Sequence, residues 1–148
     1  MIIQRDSYLQ SLISRQHNGM IKVITGIRRS GKSFLLFNLF KQYLLENVTD
    51  NRHIISIALD DRMNRNLRDP DALCDYVHSH ITDYGMYYIL LDEVQFVSEF
   101  EDVLNSFLHI SNADVYVTGS NARFLSKDII TEFRGRGDEI RIFPPFIS

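Results

Sequence analysis

Residues Ile21–Ser33 read IKVITGIRRSGKS, a short apolar run that leads directly into a glycine-containing loop. The run IKVIT is rich in β-branched residues, which favours a buried strand. The loop GIRRSGKS matches the pattern G-x-x-x-x-G-K-[ST] at every fixed position and opens a stretch with helical spacing. Strand, loop and helix in this order predict a loop whose backbone N–H groups surround a phosphate, with the helix N-terminus directed at the same anion.

The residue types at the fixed positions of the loop suit this chemistry. Gly26 and Gly31 permit conformations and a close approach that a Cβ would obstruct. We expect Lys32 to take part in catalysis by contacting the β- and γ-phosphates, and the Ser33 hydroxyl to bind Mg²⁺. The expected nucleotide-contacting set is Gly26, Ile27, Arg28, Arg29, Ser30, Gly31, Lys32, Ser33 and Phe34.

Short β-rich runs alternate along the chain with longer stretches whose apolar residues recur at helical spacing. The predicted strands are Ile21–Thr25, His53–Leu59, Tyr87–Leu91, Asp114–Thr118 and Glu139–Phe143. The predicted helices are Arg5–Arg15, Lys32–Glu46, Asp71–Thr82, Val97–Ile110 and Ser126–Phe133. Because several strands are apolar at nearly every position, we expect an α/β fold in which helices cover both faces of a five-stranded parallel sheet. The polar segment Asp60–Asp71 is expected to be a solvated loop.

Length and composition indicate one globular domain over residues 1–148. Of the 148 residues 45% are hydrophobic and 24% are charged, and Cys74 is the one cysteine, so no intramolecular disulfide forms. The formal net charge of −3 does not indicate strong nonspecific binding of nucleic acid. No apolar run approaches the roughly 18–20 residues of a membrane span, and the first residues lack the order of a signal peptide. We therefore expect a cytoplasmic protein that has no membrane partner.

Two acids follow the third predicted strand, in the stretch Tyr87–Glu93 that reads YYILLDE. At the end of a strand beside the phosphate loop, Asp92 would hold Mg²⁺ and Glu93 would act as a general base on the attacking water. The alternative is that both acids cap the next helix, where acidic residues are common.

Two later segments offer further catalytic residues. The strand ending at Thr118 is followed by GSN. Asn121 or Ser120 would either orient the attacking water or cap the next helix. We select Asn121 as the catalytic residue. The turn FRGRGD is expected to expose Arg134 and Arg136. Exposed arginines in a turn fit an arginine finger and a solvated turn equally well. We select Arg136 as the finger.

Taken together, these motifs resemble those of the AAA+ ATPases, and in particular a bacterial and archaeal family in which an N-terminal ATPase module precedes a domain of unknown function, often nuclease-like. The resemblance extends over the whole chain through R-x-x-Y-L at Arg5–Leu9, GIRRSGKS, LLDEVQ, TGSNARFLS, FRGR and the terminal FPPFIS. It implies ATP as the nucleotide and a sheet order of 5-1-4-3-2. It also implies a helical lid and a C-terminal domain after Ser148, so we expect residues 1–148 to be the ATPase core of a longer chain.

The leading functional hypothesis is Mg²⁺-dependent binding and hydrolysis of ATP that moves a C-terminal module or a neighbouring subunit. A GTPase is disfavoured because the sequence has no N-K-x-D or T-K-x-D motif. A small-molecule kinase is disfavoured because the acid after Asp92 suits water activation. A different class stays open, namely a nucleotide-gated adaptor for protein or DNA with negligible turnover, in which Arg62, Arg65 and Arg68 meet the partner. A homo-oligomer and a nucleic acid are also left open as partners.

Overall fold

A five-stranded parallel sheet forms the centre of the computed structural model, which describes residues 2–27, 30–120 and 137–142. The strands are β1 (Ile21–Thr25), β2 (Ile54–Ala58), β3 (Tyr87–Asp92), β4 (Ala113–Gly119) and β5 (Gly137–Arg141). Their order is β2-β3-β4-β1-β5, and every neighbouring pair is parallel. The predicted order 5-1-4-3-2, which is the same sequence of strands counted from the other edge, is confirmed.

Within the described ranges, four α-helices and several shorter helical turns accompany these strands. The α-helices are α1 (Ile2–Ser14), α2 (Lys41–Asn47), α3 (Pro70–His80) and α4 (Phe100–Phe107). A π-helix spans Phe34–Phe40, and 3₁₀-helices span Asn51–His53, Arg62–Arg68 and Val94–Phe96. None of the helices in the described ranges combines the length and hydrophobicity that crossing a membrane requires.

Apolar side chains of β1 to β4 alternate between two cores, one on each face of the sheet. On one face Val23 and Ile89 pack with residues of α3 and α4, including Val77 and Phe107. On the other face the next residues along the same strands, Ile24 and Leu90, pack with α1, the π-helix and α2. The expected three-layer α/β/α architecture is therefore confirmed, and it explains why the strands are apolar at successive positions.

The helix predicted over Lys32–Glu46 begins as an α-helix at Lys32 and Ser33, is π-helical over Phe34–Phe40 and is α-helical again from Lys41. The stretch FLLFNLF is apolar at most positions, so its pattern does not separate the two helix types. In the structure Leu35, Leu36 and Phe40 are the buried residues of the π-helix. Single π-helical segments occur often beside functional sites, and this one follows the phosphate loop directly.

The segment Asp60–Asp71 is mostly exposed, as predicted, but the prediction that it is a loop is wrong. Residues Arg62–Arg68 form two short 3₁₀ turns that meet at a kink at Asn64, and Leu67 is buried. The Asp61 side chain accepts a hydrogen bond from Met63 N at their start. The helix α3 follows at once, with Asp69 as its N-cap. Asp61 and Asp69 are therefore caps, which is the role that a carboxylate plays before a helix.

The remaining differences concern the ends of elements. The predicted helix Val97–Ile110 begins later, at Phe100, because Glu99 has a left-handed backbone with φ of 54°. The last strand begins at Gly137 instead of Glu139. The predicted helix Ser126–Phe133 and the residue Phe143 lie outside the described residues.

Candidate functional site

The loop after β1 requires glycine at both of its fixed glycine positions. A Cβ on Gly26 would lie 2.7 Å from Ser30 Oγ and 3.0 Å from the Ile142 carbonyl oxygen, so a larger residue would displace the Ser30 side chain and crowd that carbonyl. Gly31 has φ of 100°, which side chains rarely tolerate. Arg28 and Arg29 lie outside the described residues. The described part of the loop thus has the tight turn and the left-handed residue that the motif predicts.

The interior of the loop contains the buried polar side chains of Lys32 and Ser30. Lys32 is only 3% exposed, and its Nζ donates to the Ile27 carbonyl oxygen over 3.3 Å. The Ser30 hydroxyl is buried and has no hydrogen-bond partner within the described part of the chain. A buried hydroxyl left unpaired costs about 1–3 kcal/mol, so its presence in a phosphate loop favours a ligand that pairs with it.

The first acid, Asp92, is the last residue of β3 and lies against the start of the loop helix. Its Oδ2 accepts a hydrogen bond from Ser33 Oγ over 2.7 Å, and its Oδ1 accepts one from Thr118 Oγ1 over 2.6 Å. The side chain is 3% exposed, and this burial raises the pKa of its carboxyl, while the bonds from Thr118 and Ser33 act in the opposite direction. A bound cation would favour the ionised form of this carboxyl.

The second acid, Glu93, follows in a left-handed backbone conformation, with φ of 54° and ψ of 55°. Its backbone N–H donates to Thr118 Oγ1 over 2.8 Å. Its Oε1 accepts hydrogen bonds from Ser120 Oγ and Gln95 Nε2, both over 2.8 Å, and its Oε2 lies 3.7 Å from Lys32 Nζ. The Glu93 carboxylate is therefore directed back toward the phosphate loop.

The structure brings four of the predicted site residues together at the carboxyl ends of β1 and β3: Lys32, Ser33, Asp92 and Glu93. Neither acid caps the helical turn that follows, because the Glu93 side chain makes no cap hydrogen bond and Asp92 bonds to Ser33 and Thr118. The alternative interpretation as caps is therefore wrong. Ser120, the residue weighed beside Asn121, reaches Glu93.

Asn121, Arg134 and Arg136 lie outside the described residues, so their roles stay predictions. The sequence analysis missed Thr118 and Gln95, both of which bond to the acids. Thr118 could have been noticed as a hydroxyl at the end of an otherwise apolar strand, next to the edge where ligands bind. Gln95 is the last residue of the motif LLDEVQ, which contributes to the family resemblance without indicating a role for this side chain.

Ser33 and Asp92 are suitable ligands for Mg²⁺, because a hydroxyl and a carboxylate are hard oxygen donors and their oxygens already lie side by side. No group of three or more histidine, cysteine, aspartate or glutamate side chains that could hold a metal ion occurs among residues 2–27, 30–120 and 137–142. This donor set suits an ion that is shared with phosphate oxygens and water, as Mg²⁺ usually is.

The sheet order, the glycine loop after β1 and the acid at the end of β3 are those of a P-loop domain of the AAA+ type. The chain belongs to the AAA domain family, whose model matches residues 18–146.

Two curated relatives are similar over nearly the whole chain, and both are uncharacterized proteins. The one from Haemophilus influenzae is 33% identical over 144 residues, which cover 97% of this chain and 36% of that protein. The one from Methanocaldococcus jannaschii is 28% identical over 148 residues, which cover 97% of this chain and 30% of that protein. The chain thus spans about a third of the length of these relatives.

Several solved structures share the fold at low sequence identity. A DNA polymerase III gamma subunit-related protein of Thermotoga maritima has a TM-score of 0.63 at 12% identity, covering 96% of this chain and 46% of that one. Domain III of the replication initiation protein DnaA of the same organism has a TM-score of 0.59 at 19% identity, covering 94% and 62%. A chain of Drosophila ORC bound to DNA has a TM-score of 0.58 at 9% identity, covering 93% and 89%. At these identities the likeness shows the fold alone.

Proposed function

We propose that this chain binds ATP together with Mg²⁺ and hydrolyses the bond between the β- and γ-phosphates. The observation that carries the proposal is the 2.7 Å contact between Ser33 Oγ and Asp92 Oδ2. It joins the phosphate loop to the acid of β3 and places Lys32 and Glu93 beside them. A loop that merely connected a strand to a helix would not need this combination of buried polar groups.

The roles follow from the chemistry of each side chain. Ser33 and Asp92 would hold Mg²⁺, which when bound neutralises charge on the phosphate oxygens. Lys32 is 3.7 Å from Glu93 Oε2, and a triphosphate in the loop would offer its ammonium a more highly charged partner. Lys32 would then turn to the phosphates and leave Glu93 Oε2 free to take a proton from the attacking water.

ATP is proposed over GTP because the sequence contains no guanine-reading N-K-x-D or T-K-x-D motif and because the family is the AAA domain family. We also propose that Asn121 orients the attacking water and that Arg136 is an arginine finger. We further propose that loss of the γ-phosphate moves another module or a neighbouring subunit. The two curated relatives are about three times as long as the matched region and have room for such a module.

The alternative function is a nucleotide-gated adaptor for DNA or protein that has negligible turnover. The Drosophila ORC structure with the same fold is described as bound to DNA, and Arg62 and Arg65 are exposed here. Arg68 is less accessible to a partner, because its Nε donates to the Leu59 carbonyl oxygen over 2.8 Å and its guanidinium lies 4.7 Å from the centre of the Phe96 ring.

Phosphate release from Mg²⁺-ATP separates the two functions. A hydrolase should lose about a hundredfold or more of its turnover in Glu93→Gln, since a general base contributes at least that much, while it keeps its affinity for ATP. The exposed Glu99 offers a matched control, and Glu99→Gln should leave turnover unchanged. Turnover in Glu93→Gln equal to that of the unmodified chain would contradict the proposed role. ATP binding without phosphate release in the unmodified chain would favour the adaptor.

A further inference from the structure

Thr118 lies at the end of β4 and is fully buried, although its side chain is polar. Its hydroxyl contacts both acids of the site. Oγ1 donates to Asp92 Oδ1 over 2.6 Å and accepts from Glu93 N over 2.8 Å. The backbone N–H of Glu93 can only donate, so Thr118 Oγ1 accepts this bond and has its own proton free for the Asp92 carboxyl. The Thr118 hydroxyl thus donates its proton to the Asp92 carboxyl and accepts the backbone N–H of Glu93 with a lone pair.

The pairing of β3 with β4 explains how one side chain reaches both acids. Leu91 pairs with Val117, so the next residues along the two strands, Asp92 and Thr118, lie side by side at the carboxyl edge of the sheet. The bond to Oδ1 fixes the rotation of the Asp92 carboxylate, and Oδ2 is therefore directed at Ser33. Without the bond from Thr118, the bond from Ser33 Oγ to Oδ2 would be left to hold the carboxylate by one oxygen.

The second bond holds the backbone turn that presents Glu93. A left-handed conformation in a residue other than glycine costs about 1–3 kcal/mol and persists only where neighbouring groups determine it. Here β3 ends, and the Glu93 N–H bonds to Thr118 Oγ1 instead of to a neighbouring strand. The same turn places the Glu93 carboxylate within reach of Ser120 and Lys32.

We propose that Thr118 is a positioning residue for the reaction: its hydroxyl orients the carboxylate of Asp92 toward the Mg²⁺ position and holds the turn that places Glu93. The inference rests on the proposed function, because it assigns Thr118 to the same site. Its structural basis, however, is two hydrogen bonds that are present without nucleotide, so they can be tested independently of hydrolysis.

The test compares Thr118→Val, which replaces the hydroxyl with a methyl group of similar size, with Thr118→Ser, which keeps the hydroxyl. Titrations with ATP are carried out in EDTA and at increasing Mg²⁺ concentrations, and circular dichroism reports folding. We expect Thr118→Val to bind ATP in EDTA within about twofold of the unmodified chain, but to need about ten times more Mg²⁺ for the same gain in affinity. Thr118→Ser should restore the Mg²⁺ dependence of the unmodified chain.

Either of two results would overturn the proposal. The first is an unchanged Mg²⁺ dependence in Thr118→Val, which would mean that Asp92 keeps its orientation without the hydroxyl. The second is a defect in Thr118→Ser as large as that in Thr118→Val, which would assign the effect to packing of the threonine methyl group.

Amide hydrogen exchange of the unmodified, nucleotide-free chain gives a readout that does not depend on any variant folding. The Glu93 amide should exchange about a hundred times more slowly than an unstructured amide, because its proton is bonded inside the protein. Exchange of the Glu93 amide at the unstructured rate would overturn the proposal. Failure of the unmodified chain to bind ATP would count against the proposed function. Exchange of the Glu93 amide would still show whether its hydrogen bond to Thr118 Oγ1 is present.

Discussion

At the scale of single residues, His53 lies between two carboxylates. Its Nδ1 is 2.6 Å from Asp50 Oδ1, and its Nε2 is 3.0 Å from both oxygens of Asp83. Ionised carboxylates only accept hydrogen bonds, so protonation of His53 lets both ring nitrogens donate to these neighbours. The hydrogen bond with Asp50, and then the one with Asp83, raise the pKa of His53. Arg52 also faces Asp83, and the ring of Tyr87 packs 4.7 Å from the imidazole.

The stability contributed by His53 should therefore depend on pH. Because its pKa is raised in the folded state, the contribution is fully present below the unfolded pKa of about 6.5 and is lost as pH rises through the folded value. The pKa values of Asp50 and Asp83 are lowered, so both stay ionised in this window. We expect the free energy of unfolding lost in His53→Gln to be larger at about pH 5.5 than at about pH 8.5.

Urea unfolding of the unmodified chain and His53→Gln at both pH values measures this difference. The exposed His78 provides the control, since His78→Gln should change stability little at either pH. A loss in His53→Gln that is the same at both pH values would show that the ring does not act as a cation.

How far the sequence predicts the site depends on which contacts are local. Ser33 and Asp92 could be placed because each follows a strand whose neighbours were predictable, and parallel strands bring such ends to one edge. Thr118 could not be assigned, because its contacts depend on the register that pairs Leu91 with Val117. The left-handed turn at Glu93 also has no local signal, since glycine is the residue that normally indicates it.

At the scale of elements, a buried ion pair joins the amino ends of β1 and β4, at the end of the sheet away from the phosphate loop. Lys22 is fully buried, and its Nζ lies 2.5 Å from Asp114 Oδ1 and 4.7 Å from the centre of the Tyr116 ring. Asp114 also accepts hydrogen bonds from the Tyr116 hydroxyl and from His17 N. Burial lowers the pKa of Lys22, and Asp114 opposes that shift.

Removing the acid from this pair should be more damaging than removing the lysine. Asp114→Asn leaves the buried ammonium of Lys22 without a counter-ion, and we expect a loss of about 3–5 kcal/mol in the free energy of unfolding. Lys22→Met should cost less, because Asp114 keeps the donors Tyr116 and His17. Urea unfolding of both variants measures the order, and a larger loss in Lys22→Met would contradict this account of the pair.

The start of α3 provides a second prediction at this scale. The Asp69 carboxylate accepts from Ala72 N over 2.9 Å, and Pro70 is the first helical residue. We expect Asp69→Ala to lower the free energy of unfolding by about 1 kcal/mol, the usual value of an N-cap. Asp75→Ala, at an exposed position within the same helix, is the control. Equal stability of Asp69→Ala and the unmodified chain in urea would show that the cap does not contribute.

Elements also differ in how well their patterns predict them. The buried strands were placed within about two residues, as usual for such boundaries, because continuous apolar runs between helices have few other interpretations. The 3₁₀ turns of Arg62–Arg68 were missed, since short helical turns with a single buried residue, Leu67, have no periodic signal. The π-helix Phe34–Phe40 was missed because its apolar residues also fit an α-helix over two turns.

At the scale of the whole molecule, the order of the strands decides where the site forms. β1 lies between β4 and β5, and β4 separates it from β3, so the phosphate loop and the two acids meet across one intervening strand. Thr118 belongs to that intervening strand and bonds to both acids. The order came from the family resemblance, because the alternation of strands and helices predicts a parallel sheet without specifying which strands are neighbours.

The most direct test of the central claim is a calorimetric titration of this chain with ATP in the presence of Mg²⁺, with Lys32→Ala as the control. The account predicts saturable binding in the unmodified chain and at least about a tenfold loss of affinity in Lys32→Ala, since this side chain would contact the phosphates. Equal affinity in the two proteins, or no binding by the unmodified chain, would contradict the claim that the loop after β1 is a nucleotide site.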